Sequence, residues 1–170
     1  MRKSLDVLFT VSAFSSAFFL VAIVGLILAQ SLGRLVGIAI HDANELAGFC
    51  LAAGSFLALG PALRAGSHIR VSLVTSYLSA HVRRIVETIV LVVAAFLAGY
   101  FTWWMGVLAQ ESREFGDSSP GVLAFPLWIP QAAMAFGLGV LTIAVVEALI
   151  QSVRRPAEAP AESVTTGTTE

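Results

Sequence analysis

With one cysteine, three histidines and long stretches without charge, this chain has few of the groups from which soluble enzymes are built. Cys50 stands alone, which excludes an intrachain disulfide, a cysteine-rich zinc site and a dithiol redox pair. Set in an apolar run, it reads as a small buried hydrophobe. Only 12% of the 170 residues are charged and 57% are apolar, against about 25% and about 45–50% in a typical soluble domain. Mean hydropathy is +0.86. A soluble globular fold is excluded. The formal net charge of −1 argues against nucleic acid as a partner. His41, His68 and His81 fall in connections between apolar runs, so no imidazoles face one another among helices as a haem anchor requires. No Ser–His–Asp set, convergent carboxylate pair or phosphate-binding glycine loop ahead of a helix is present.

What the chain does have is four charge-free runs, 7–33, 46–63, 88–110 and 118–146. A helix needs roughly 20 apolar residues to cross a hydrocarbon core of about 30 Å. Strands of a membrane barrel would alternate apolar and polar residues, and these runs do not. The expected fold is therefore an all-α membrane protein with four transmembrane helices, over about 8–30, 44–63, 87–109 and 125–149. The second run is short and borrows Ala43, Asn44 and Glu45 as its first turn. The first run exceeds the roughly 7–15 apolar residues of a signal peptide, so it is expected to stay as an anchor. Residues 1–155 read as one membrane domain, and 156–170, rich in Pro, Ala, Glu, Ser and Thr, as a disordered cytoplasmic tail.

Orientation follows from the basic residues. With the N-terminus cytoplasmic, that side holds Arg2, Lys3, Arg64, Arg70, Arg83, Arg84, Arg154 and Arg155, and the other only Arg34 and Arg113. Both termini are expected inside. Acidic residues cluster outside (Asp42, Glu45, Glu111, Glu114, Asp117), and Trp103, Trp104 and Trp128 are placed near the outer interface, where indoles are favoured. Between spans two and three, Val71, Val74, Leu78, Val82 and Ile85 form an apolar stripe at helical spacing. This predicts an amphipathic helix over about 69–85 in the cytoplasmic interface; the alternative is that the segment extends span three inward. Pro120, Pro126 and Pro130 predict an irregular piece, a helix start close to Pro126 and a bend near Pro130.

Polar groups at membrane depth are costly and mark function. Glu147 is the one candidate, and it lies near the cytoplasmic end, where it reads as an interfacial or paired charge. Gln131, beside Pro130, is expected to satisfy backbone groups freed there or to face a partner helix. Small residues recur at four-residue spacing (Gly25/Ala29, Gly48/Ala52, Gly54/Ala58, Ala95/Gly99, Ala133/Gly137) and permit close helix approach. A chain with packing faces and no transport-grade polar groups reads as an accessory subunit.

The run Gly66-Ser67-His68-Ile69-Arg70-Val71-Ser72, after Ala62-Leu63-Arg64, resembles the signature of the small membrane subunit (DctQ-like) of TRAP transporters, the tripartite ATP-independent periplasmic family. Arg34, Glu45, the stretch Leu127-Trp128-Ile129-Pro130-Gln131, Met134, Gly137 and Gly139 add to the likeness, which covers about residues 5–150. The family's Asp after the valine is Ser72 here, and its aromatic-and-acidic start to span two is replaced by His41-Asp42-Ala43-Asn44-Glu45.

The resemblance implies a non-catalytic scaffold without cofactor. Its partners would be the lipid bilayer, a large membrane subunit carrying substrate and sodium sites, and a periplasmic binding protein that delivers an organic acid. Gly66, His68, Ile69, Arg70 and Val71 would form the motif and interfacial helix. Arg34, Glu45, Arg113, Trp128 and Gln131 are candidate contacts with the other subunits. Arg70, Arg83 and Arg84 would hold headgroups, or act simply as topology determinants; the acidic outer loops would dock the binding protein, or remain solvated charge. The rival readings are a four-helix membrane anchor of a redox or other enzyme, which would need facing histidines, and a dimeric exporter, which would need a mid-membrane carboxylate.

Overall fold

The computed structural model of the chain describes residues 2–37, 41–66 and 80–154. They form four helices: α1 (Arg2–Leu35), α2 (Ala43–Gly66), α3 (Ala80–Phe115) and α4 (Trp128–Arg154). Each is long and apolar enough to cross a membrane. Motif residues His68, Ile69, Arg70 and Val71, most of the expected interfacial helix, and the expected tail lie outside the described residues.

Local sequence sets the helix ends. Gly37, at φ 80°, stops α1, its N–H reaching the Arg34 carbonyl at 3.3 Å. Gly116, at φ 70°, stops α3, and the Asp117 N–H returns to the Ser112 carbonyl at 2.9 Å. That bond is the six-to-one closure that left-handed glycine allows after a helix. α4 opens at Trp128, so Pro130 sits in its first turn, where a missing N–H has no helical acceptor to disappoint. The bend expected at Pro130 is unnecessary for that reason.

The helices form a row rather than a closed square. α1 packs on α2, α2 on α4, and α4 on α3, with only a light touch between α1 and α4. α1 and α2 are antiparallel: Asp6 meets Arg64, and Ser16 meets Gly54. α2 and α4 run parallel, with Phe56 against Gly137 and Gly60 against Val140. α3 and α4 are antiparallel, from Arg84 beside Val153 to Arg113 beside Trp128. Near the α1 N-terminus Phe9, Val140 and Ala144 form a small buried cluster, lined by Leu5, Leu8 and Leu63. The central helices are the more buried, and the edge helices α1 and α3 expose most of their length.

Two contacts fix the centre of the row. A Cβ on Gly137 would lie 2.5 Å from the Phe56 carbonyl carbon and 2.7 Å from the Leu57 nitrogen, so α4 and α2 meet there backbone to side-chain-free backbone. Pro61, inside α2, has no N–H for the Leu57 carbonyl. Ser12, fully buried on α1, donates to that carbonyl at 2.7 Å, so a side chain of one helix fills a gap in the ladder of the next.

Residues 80–85 of the expected interfacial helix are the first turns of α3, which makes the inward extension of span three the correct reading for that part. At 36 residues α3 is about 54 Å long, against a hydrocarbon core of about 30 Å, so Arg83 and Arg84 need not enter it. His81 accordingly lies in α3 and not in a connection.

The indoles also need revision. Thr102 Oγ1 is 3.0 Å from Thr142 Oγ1, and Thr142 is near the middle of α4. Trp103 and Trp104 are therefore level with mid-α4, about 20 Å from either of its ends. Only Trp128 stands at the end of the row. Helix register across the α3–α4 pair sets this depth, and distance in sequence from the nearest charge does not.

Candidate functional site

Among the described residues, ionisable side chains gather at the two ends of the row, leaving its middle to hydroxyls. Ser16 donates to the Gly54 carbonyl at 2.8 Å, and Thr102 and Thr142 lie within bonding distance of each other and of the Ala98 and Leu138 carbonyls four residues back. Hydroxyls satisfied in this way tie helices together and offer no free ligand set.

At the α1 N-terminal end, Arg64 of α2 joins three helices. Its Nη2 is 2.6 Å from Asp6 Oδ1 of α1, its Nε is 3.9 Å from Glu147 Oε2 of α4, and its guanidinium lies 4.8 Å over the Phe9 ring. Glu147 also accepts from Gln151 Nε2 at 3.3 Å. Glu147 is thus a paired charge, with Arg64 as partner. Beside it Arg84 of α3 donates to the Val153 carbonyl at 3.0 Å, occupying one of the carbonyls that the end of α4 leaves open.

The opposite end carries the more elaborate structure. Residues 117–127 fold back as a small hairpin, with the bridge Ser118–Pro126, the Ser119 N–H on the Phe125 carbonyl at 2.9 Å, and the Leu127 N–H on the Asp117 carbonyl at 3.1 Å. Asp42, just ahead of α2, clamps its tip: the carboxylate accepts the Val122 N–H at 3.1 Å and the Leu123 N–H at 2.7 Å. A Cβ on Gly121 would overlap the carboxylates of Asp42 and Glu45, so a larger residue there would make those side chains shift. Ala124 turns the chain at φ 43°, and Phe125 stacks on Phe49 of α2 at 5.9 Å. The result is a pinned loop that displays Val122 and Leu123, 85% and 66% exposed.

The candidate contact residues divide accordingly. Glu45 lies half-buried against the hairpin, and Arg113 lies 5.5 Å over the Trp128 ring, so these three surround the hairpin end. Gln131 is close by on α4, with its amide oxygen buried and unpartnered among the described residues. Arg34 ends α1 as an exposed side chain and is not drawn into that group. Gly66 ends α2. Sequence reasoning passed over Asp6 and Arg64 as a pair, and Ser12. Pro61 within an apolar run was the available signal for Ser12, because it leaves a carbonyl four residues earlier in need of a donor.

Asp42→Ala is expected to speed hydrogen exchange at the Val122 and Leu123 amides by on the order of tenfold or more, since a bond to a charged acceptor contributes about 1.5–3 kcal/mol. Unchanged exchange at those two amides would show that the hairpin holds its own shape.

Comparison with curated proteins and with solved structures gives no match. The family model described as tripartite ATP-independent periplasmic transporters, DctQ component, matches residues 23–155, from within α1 to the end of α4. With that match and four helices able to cross a membrane, the chain belongs to the DctQ family and is a multi-pass TRAP transporter component of the bacterial inner membrane.

Proposed function

We propose that the chain is the non-catalytic scaffold subunit of a TRAP transporter. It packs on a large membrane subunit that carries the substrate and sodium sites, and supports uptake of an organic acid brought by a periplasmic binding protein. The observation that carries this reading is the shape of the row. Among the described residues it is one helix thick, its edge helices are paired on one side only, and its charged groups stand at the ends. Such a layer has surface to lend and, among its described residues, no enclosed polar path for a solute.

Both termini are placed in the cytoplasm, which puts the Arg64 cluster inside and the Asp42-clamped hairpin outside, facing the binding protein. Glu45, Arg113 and Trp128 lie where that protein would dock, and Gln131 offers its buried oxygen to a donor from a neighbouring subunit.

Affinity purification of the tagged full chain from its native membrane is expected to bring down a much larger polytopic protein. The chain reconstituted alone should give no sodium-coupled organic-acid flux, and adding the large subunit and binding protein should restore it. Coupled flux from the chain alone would sink the reading.

A further inference from the structure

We infer that the mid-membrane aromatic face of α3 is the seat for a transmembrane helix of the large subunit, one that presents hydrogen-bond acceptors at the level of Tyr100 and Trp103; this rests on the scaffold reading above. Phe96, Tyr100 and Trp103 follow one another at helical spacing with Trp104 alongside, and are 72%, 51%, 71% and 52% exposed. Tyr100 packs edge-on against Trp104 at 6.2 Å and against Phe101 at 5.9 Å. The Thr102–Thr142 contact places this patch level with the middle of α4.

Depth gives the patch its meaning. Tyr and Trp suit the membrane–water boundary, where the ring is in lipid and the polar tip is wet. Here the rings stand level with a point about 20 Å from either end of α4, and roughly 10 Å along α3 from Gln110 and Glu111. Among the described residues no acceptor within the chain meets the Tyr100 hydroxyl or either indole N–H. In hydrocarbon those donors would stay unpaired, whereas a neighbouring helix with a polar side chain or freed carbonyl at that level pairs them. Beside the patch, Gly99, Thr102 and Gly106 of α3 and Gly139 and Thr142 of α4 line a shallow groove in which a helix can approach closely.

The other edge of the row differs. α1 shows Phe14, Phe18, Val21 and Val24 along its outer side, 73%, 69%, 71% and 57% exposed, with hydrocarbon throughout. That face matches lipid chains and asks for no polar partner. The α3 edge does ask for one.

The test uses the full chain co-expressed with the large subunit. Benzoylphenylalanine is placed at position 100 or 103 on α3, and at 14 or 18 on α1, followed by irradiation in membranes. The α3 positions are expected to cross-link to the large subunit and the α1 positions to lipid. In parallel, Tyr100→Phe with Trp103→Phe keeps an aromatic ring at each position, smaller at 103, and removes two donors. Recovery of the large subunit should fall by on the order of tenfold, with the thermal midpoint of the isolated chain unchanged. Cross-links from α1 to the large subunit with none from α3, cross-links from α3 to a second copy of this chain, or full recovery by the double variant would each overturn the inference. Failure of the unsubstituted chain to recover any large subunit would instead overturn the scaffold reading.

Discussion

Gly137→Ala is expected to separate α4 from α2 and to lower the thermal midpoint of the detergent-solubilised chain more than any other glycine-to-alanine change in the row. The added Cβ would sit 2.5 Å from the Phe56 carbonyl carbon and 2.6 Å from its oxygen. Those atoms belong to a helix backbone and cannot rotate aside, so relief requires the helices to move apart. Overpacking costs typically about 1–3 kcal/mol and more where backbone must shift. Alanine's better helix propensity returns about 1 kcal/mol, which is too little to reverse the sign. Gly48→Ala supplies the control: nothing lies within 4 Å of its added Cβ. It should leave the midpoint unchanged or slightly raised. Equal midpoints for the two variants would mean that the α2–α4 approach is looser than described.

Ser12→Ala is expected to cost about 1–3 kcal/mol, the range for orphaning a buried acceptor. Interhelical hydrogen bonds in membranes often contribute less, near 0.6 kcal/mol, because the separated groups find other partners. Here the fallback is missing: Pro61 has no N–H to return to the Leu57 carbonyl, and Ser12 is its donor. The cycle with Pro61→Ala separates the two explanations. Alanine at 61 supplies the N–H, so Ser12→Ala should be nearly harmless in that background, and the two changes should couple by about 1 kcal/mol or more. Strictly additive costs, measured by reversible unfolding in detergent or bilayer mimics, would show that the serine contributes packing alone.

Much of this architecture could be read from composition. Charge-free runs locate four helices because a bilayer admits few other solutions, and the glycines at 37 and 116 end helices as left-handed residues do. The order of the row was hidden. In helices apolar on every side, periodicity no longer marks the packed face, and the choice of α4 over α3 as neighbour of α2 depends on fits such as Gly137 on Phe56. Asp42 was legible as one of a cluster of acidic residues but not as a clamp, because its partners are backbone N–H groups about eighty residues away. Tryptophan depth was misjudged for a similar reason, since it depends on how α3 slides along α4. The Arg64 pairing with Asp6 and Glu147 needs three helices in place before it exists.

The neighbour order bears on how the chain is assembled as it is made. α1 and α2 can close into a hairpin as soon as both are inserted. α3 then enters the bilayer with no mate, because among the described residues its only substantial contact is with the helix that follows it. α4 must arrive between its elders, docking on α2 with one flank and collecting α3 with the other. Until then α3 waits alone in lipid, and a stall or truncation before Trp128 would leave it an orphan for membrane quality control.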